Sequence, residues 1–402
     1  MSEAVIVAAT RSPLGLASKG SLKSIRPDDL ASSTVQAALD RVPQLTPGAI
    51  DDLFLGCSQQ VGDQSQHLGR VVALLLGRDN LPAATVDRFC ASSMLTTAMA
   101  YHAIKAGEGD AFISAGVESP SRYRVADQRR GLNPRFAAAA RRVLELAKTH
   151  QPWQDPREQG LLPDAYIAMG QTAENIATYR GVSRAEQDDY AVLSQARAQK
   201  AIIDGVFERE ISPITLADGT VVSRDDGPRA GVTSDQLALL PSIVRPEGTV
   251  TEGNSFPLAD GSAALVVMSA DRAKALGIEP LARIVSTATS ALSPEVMGLS
   301  GVDASRLALD RAGLSIDQID LVELSESFAA QVIPTYRDLG IDPAKLNVAG
   351  GSLALGHPFG ANGARMTTTL LSNLATADKR YGLQTVAAGG GQGMAMVLER
   401  LS

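Results

Sequence analysis

The 402-residue chain has two cysteines, four histidines, few aromatic side chains (4%) and an acidic surplus, with 44 Asp and Glu against 37 Lys and Arg. Each shortage excludes something. Two thiols, Cys57 and Cys90, cannot build a disulfide framework, and they suit a reducing, cytoplasmic setting. A net charge of −7 argues against a general nucleic-acid binder, which needs a basic face. No apolar run approaches about 18 residues, so no membrane span is expected. "MSEAVIVAATRSP" lacks a basic segment ahead of an apolar one, so no signal peptide is expected. "AATRSPLGL" also lacks the G-x-G-x-x-G of a dinucleotide-binding turn. With few rings and 36 glycines, the core must rely on close backbone approach.

What is present is a soluble globular composition, 45% apolar and 20% charged, in a chain too long for one ordinary core. The chain repeats itself. "ALDRVPQLTPGAIDDLFLG" resembles "ALDRAGLSIDQIDLVELS", and each reads as helix end, polar link and strand. "ATVDRFCASSMLTTAMAYHAIKAG" has a counterpart in "LNVAGGSLALGHPFGANGARMTTTLLSNL", each a strand, a small-residue turn and a helix. "DAFISAGVES" parallels "LQTVAAGGGQG". Alternating strands and helices in two similar halves predict two α/β domains related by a pseudo-twofold. Residues 124–253 read as an inserted region, with a capping box at Ser183 and Glu186. "SAALVVMSA" at 262–270 is expected to return to the first sheet. The domains are then 1–123 with 254–274, the insertion 124–253, and 275–402.

In "VDRFCASSM", residues 86–94, Cys90 falls between the strand-like Ala84–Val86 and the helix-like Ser92–Ile104. A buried packing thiol is one reading. The other is a nucleophile whose thiolate the helix N-terminus stabilises, with a lowered pKa and faster alkylation than Cys57. His357 lies in "GGSLALGHPFGANGAR", residues 350–365, in a turn after the strand-like "LNVAG". Equivalent turns of two similar domains would face each other, and a Cys–His pair there would be an activated nucleophile. "VAAGGGQG", residues 386–393, offers backbone N–H groups for an oxyanion. In "ELSESFAAQ", residues 323–331, Ser325 is either a helix cap or part of a catalytic water site. Arg122, Arg124, Arg129, Arg130, Arg135, Arg141 and Arg142 form either a solvated face or a guide for a phosphorylated ligand.

These blocks, in order and spacing, resemble the thiolase family, of the degradative acetyl-CoA C-acyltransferase type. "AYIAMGQTAEN" (165–175) and "TVTEGNSFPLADGSAA" (249–264) fit as well, and Ala168 stands where biosynthetic thiolases carry histidine. The resemblance implies a five-layered αβαβα fold and an acyltransferase acting on acyl-CoA or 3-ketoacyl-CoA in lipid degradation. It implies Cys90 as nucleophile, His357 as base, and an oxyanion hole from the N–H groups of Cys90 and Gly389. Arg229, Ser255, Phe256, Met169 and Phe328 would bind substrate and coenzyme A, the insertion serving coenzyme A binding and oligomerisation. A homo-oligomer, dimer or tetramer, is implied, with coenzyme A as substrate and no metal or permanent cofactor.

The chain departs from that pattern at several points. Ala387 stands where the family has a second cysteine, and alanine cannot titrate. Ser325 replaces the asparagine that holds a catalytic water, Ser327 replaces an alanine, and Phe256 occupies a position where a small residue is common. Two readings stay open: a thiolase-type acyltransferase, or a thiolase-fold acyl-CoA binder, thioesterase-like enzyme or partner subunit that has lost carbon–carbon chemistry.

Overall fold

The continuous apolar run "AVIVAATR" forms β1 (Ala4–Arg11), and all eight of its residues are buried, as expected of a strand covered on both faces. The computed structural model describes residues 2–123, 132–149 and 151–402. After β1 come β2 (Gly15–Leu16), α1 (Pro27–Asp40), β3 (Asp52–Gly56), α2 (Leu68–Leu75), β4 (Ala83–Val86), α3 (Ser92–Ala106) and β5 (Ala111–Glu118). The middle of the chain holds α4 (Ala137–Thr149), α5 (Met169–Arg180), α6 (Arg184–Ile203), β6 (Ile214–Thr215), β7 (Val221–Val222) and α7 (Ser234–Ala238). Then follow β8 (Ala259–Ser269), α8 (Ala270–Leu276), β9 (Ala282–Ala291), α9 (Ser300–Ala312), β10 (Leu321–Leu324) and α10 (Ala329–Leu339). The chain closes with α11 (Ser352–Leu355), α12 (Asn362–Thr376), β11 (Tyr381–Ala388) and β12 (Gln392–Arg400).

The strands run in the order β10-β11-β12-β9-β1-β8-β5-β3-β4. Two half-sheets meet where β1 pairs briefly with β9, at Val5 with Arg283 and Ile6 with Ala282. The sequence repeat is written into their pairing. In the first half β3 runs parallel to β5, β5 antiparallel to β8, and β8 antiparallel to β1. In the second, β10 runs parallel to β11, β11 antiparallel to β12, and β12 antiparallel to β9. β8 returns from the middle region to the first half-sheet, with all 11 residues buried.

One expected strand is absent. β4 pairs with β3 over four positions, whereas "LNVAG" contributes only a bridge from Leu346 to Val322. Asn347 adopts φ 43° and leaves the extended path. Its side chain does the ladder's work, accepting from the Leu324 amide at 2.8 Å and donating to the Leu324 carbonyl at 2.9 Å.

The layers follow from where the apolar residues gather. α1 and α2 cover one face of the first half-sheet, and α9 and α10 cover the outer face of the second. Between them, α3 and α12 share a core with side chains of both half-sheets, among them Ile6, Leu265, Val386 and Met396. Small residues allow that contact: a Cβ on Gly363 of α12 would sit 2.2 Å from the Met94 amide of α3.

Buried charges tie the middle region to this framework. Arg11, at the end of β1, donates to both Asp225 oxygens at 2.7 and 2.9 Å and to Glu210 at 3.1 Å. Glu295 accepts from Trp153 Nε1 and the Asp164 amide, each at 2.8 Å, and from Arg142. Removing one partner of such a buried pair costs about 3–5 kcal/mol. The capping box of α6 forms between Ser183 and Glu186. In the arginine patch, Arg122 pairs with Asp63 and Arg142 with Glu295, which diverts two of its cations from any ligand. Arg124, Arg129 and Arg130 lie outside the described residues.

Candidate active site

β4 ends at Val86, and the next residues are held in a tight turn by their own side chains. Asp87 Oδ1 accepts from the Phe89 amide at 2.7 Å, and Ser92 Oγ accepts from the Arg88 amide at 2.9 Å and donates to the Phe89 carbonyl at 2.6 Å. Phe89 takes φ 46°, a left-handed conformation that costs an ordinary side chain about 1–2 kcal/mol. The bonds from Asp87 and Ser92 hold it there. Cys90 follows in a 3-10 turn, Phe89–Ala91, which leads into α3. Cys90 is buried, and its thiol faces the backbone N–H groups of Cys90 and Gly389.

The expected low thiol pKa is overturned. Burial pushes Cys90 up to about 12, and the nearby Glu118 carboxylate adds to the rise, against the pull of those two N–H groups. A helix N-terminus contributes about 0.3–1 kcal/mol, under one pKa unit, so it cannot offset the loss of water around a thiolate. Cys57, just past β3, is also buried and also raised, first by burial and then by Glu118.

His357 comes from the second half. α11 ends at Gly356, whose φ of 104° and missing Cβ are both required, since a Cβ would lie 2.7 Å from that of Ala259. The His357 amide donates to the Pro257 carbonyl at 3.0 Å. Its ring packs edge-to-face against Phe256 and Phe359, with centroids 5.0 and 5.1 Å away. It is fully buried, and neither ring nitrogen has a hydrogen-bond partner among the described residues. Burial, then repulsion from the Arg365 guanidinium, lowers its pKa to about 3. The Asn362 side chain opposes this without meeting hydrogen-bond geometry. The imidazole is therefore neutral at ordinary pH, and while buried it is a weak base. After it, the 3-10 turn Phe359–Ala361 packs against the Phe89–Ala91 turn and leads into α12.

Gly389 opens the turn Gly389–Gly391 after β11, and Phe89 lies against it, 3.1 Å from where a Cβ would be. Ala387, two residues earlier, is buried and pairs across to Gly393. Ser325 does not cap a helix: α10 begins at Ala329 with Phe328 as its N-cap and no side-chain cap. The Ser325 hydroxyl instead accepts from Asn362 Nδ2 at 3.2 Å. Glu326 accepts from Tyr190, Ser194, Asn347 and the Leu353 amide, which satisfies its carboxylate within the fold.

Met169, Phe256 and Phe328 share one apolar cluster with Val244 and Val250, and Ser255 bridges to Phe328. Through Phe256 this cluster reaches His357. Arg229 is elsewhere, in the wall of a cavity of about 600 Å³ with Gln195, Gln199, Lys200 and Ile203, and its amide donates to Gln195. Sequence reasoning missed Glu118, Asn362 and Arg365, although all three sit in quoted blocks, "SAGVES" and "GANGAR".

The model of the thiolase N-terminal domain matches residues 4–271, and that of the thiolase C-terminal domain matches residues 278–400. The chain belongs to the thiolase family. It is 38% identical to a beta-ketoadipyl-CoA thiolase of Acinetobacter baylyi, over the whole of both chains. It is also 38% identical to a 3-ketoacyl-CoA thiolase of Bacillus subtilis, over 99% of this chain and all of that one. Among solved structures, it is similar to an acetyl-CoA acetyltransferase of Bacillus anthracis, with TM-score 0.87, 35% identity, and 100% and 99% of the two chains covered. A human mitochondrial 3-ketoacyl-CoA thiolase in complex with CoA gives TM-score 0.86 at 33% identity, over 100% and 98%. The half-sheets, the central helix pair and the two facing turns are thus a thiolase framework, one in which Ala387 brings no titratable side chain to the glycine turn.

Proposed function

We propose that this chain is a thiolase-type acyltransferase that works through a thioester on Cys90. The Cys90 sulfur attacks the carbonyl carbon of an acyl-CoA while its proton passes to His357. The N–H groups of Cys90 and Gly389 receive the developing oxyanion. The carbon–sulfur bond to coenzyme A then breaks, and the proton moves from His357 to the departing sulfur. The observation that carries this reading is geometric: Cys90 lies in one turn and His357 just ahead of a second, the two turns pack together where the halves meet, and Gly389 lies against Phe89 beside them. Neither group need be charged before the substrate arrives.

In the second half-reaction a 3-ketoacyl-CoA is cleaved, or made, at a carbon–carbon bond, as the names of the relatives suggest for lipid or related degradation. A base at the substrate α-carbon is needed. Ala387 and Ser325 favour a second reading on this point, in which the chain exchanges or hydrolyses thioesters, or serves as a partner subunit, with little carbon–carbon chemistry. Arg229 and its cavity support a site for the nucleotide end of coenzyme A, and Met169, Ser255, Phe256 and Phe328 support the approach to His357. A division into 1–123 with 254–274, 124–253 and 275–402 suits these roles. A homo-oligomer is supported by β4, a half-exposed edge strand flanked by Leu74 and Leu75, which are 46% and 51% exposed. Two unpaired cysteines suit the cytoplasm, and no described helix is long and apolar enough to cross a membrane.

Intact-mass spectrometry of the protein mixed with acetyl-CoA tests the first step. An acetyl adduct on Cys90 supports the proposal, and none after prolonged incubation overturns it. A coupled thiolysis assay with a 3-ketoacyl-CoA then separates the two readings.

A further inference from the structure

Glu118 ends β5, fully buried. Its carboxylate takes four N–H donors. Oε1 accepts from the Gln59 amide at 3.2 Å and from Gln64 Nε2 at 2.6 Å, and Oε2 accepts from the Ser58 amide at 3.0 Å and the Gly360 amide at 2.8 Å. The first three belong to its own half of the molecule. Gly360 belongs to the other half, in the turn that follows His357. That turn has no slack, since a Cβ on Gly360 would lie 2.5 Å from the Val117 carbonyl and 2.8 Å from the Cys57 Cα. One further polar tether crosses nearby, from the Ala364 amide to Ser93 Oγ at 2.9 Å.

We propose that Glu118 is a positioning residue for acyl transfer: through the Gly360 amide, its carboxylate holds the histidine turn at the distance from Cys90 that proton transfer requires. This rests on the acyl-enzyme reading above. All four contacts are N–H groups, the set an ionised carboxylate accepts most readily, and they oppose burial, which raises Glu118 to about 7, so its charge is fully present only above that pH. The same negative charge disfavours a Cys90 thiolate, so it keeps the thiol protonated until a substrate and His357 take the proton. Asp87 is the other acid whose field reaches Cys90, and Cys57 and Tyr123 also feel the charge of Glu118.

Two variants separate reach from charge. Glu118→Gln keeps the length, loses the charge and turns one acceptor into a donor facing an N–H group. Glu118→Asp keeps the charge and withdraws it by one methylene from Gly360. Single-turnover acetylation of Cys90 by acetyl-CoA should slow at least about tenfold in both, with half-saturation changed less than about twofold. Alkylation of Cys90 by iodoacetamide at about pH 8.5, above the Glu118 pKa of about 7, should behave differently, rising at least about threefold in Glu118→Gln and staying within about twofold of wild type in Glu118→Asp. A residue that merely stabilises the fold would move both assays together. Wild-type acetylation rates in both folded variants overturn the proposal. So do parallel changes in the two assays, or the failure of both variants to fold. Wild-type protein that never takes an acetyl group overturns the acyl-enzyme reading itself, and the alkylation pair still reports whether the charge of Glu118 acts on Cys90.

Discussion

The two halves of this molecule present the same device with different chemistry. In each, a 3-10 turn, Phe89–Ala91 or Phe359–Ala361, opens a helix of 15 residues, α3 or α12. The first turn carries a cysteine, and burial, with a smaller push from acidic neighbours, drives its thiol up to about 12. The second follows a histidine, and burial with an arginine drives its imidazole down to about 3. Both shifts favour the neutral form. The difference between the halves is thus a resting pair of neutral thiol and neutral imidazole, and a proton can pass between them only when a bound acyl group and the oxyanion N–H groups take up the developing charge. A preformed thiolate–imidazolium pair would need the opposite shifts.

The comparison breaks most completely if Cys90 is dispensable. Cys90→Ala should abolish the acetyl adduct seen by intact mass, and an adduct that persists, on Cys57 or elsewhere, would remove the nucleophile from the first turn. His357→Ala tests the other half and should slow Cys90 acetylation by about 10²–10⁴, the usual worth of a positioned general base, as measured by quenched-flow mass spectrometry.

Ala387→Cys sharpens the contrast between the two half-reactions. It restores a titratable group beside the glycine turn, so thiolysis of a 3-ketoacyl-CoA should rise at least about tenfold while Cys90 acetylation changes little. Adding Ser325→Asn should help further, though not additively if both groups act on one transition state. No gain in an Ala387→Cys variant that folds and acetylates would favour the second reading.

The smallest effect is on stability. A histidine held near 3 in the folded chain, against 6.5 ordinarily, binds more protons when unfolded. Its contribution is intact above pH 6.5 and is lost as pH falls below it, at about 1.4 kcal/mol per unit. His357→Phe removes this linkage, so the loss of stability between pH 7.5 and pH 5 should shrink by about 2 kcal/mol in urea titrations. An unchanged pH dependence would mean that His357 is not desolvated in solution.

Much of the framework was legible in the sequence because it is local. The alternation of strand and helix, the paired blocks around Cys90 and His357, and the box at Ser183 and Glu186 each depend on residues a few positions apart. "LNVAG" misled because an asparagine side chain replaced a ladder of backbone bonds, a substitution that composition does not reveal. Ser325 misled for a related reason: serine suits a helix cap, but its partner is Asn362, 37 residues away in the chain.

The sequence by itself determined which reactive groups exist, their place in two repeated turns, and the absence of a titratable side chain at position 387. Only the tertiary structure decided their protonation. The field at Cys90 is set by burial and by Glu118 on another strand, and that at His357 by burial and by Arg365 on the following helix. A pKa depends on water excluded and charge gathered by atoms distant along the chain, and those distances exist only once the two halves have closed on each other.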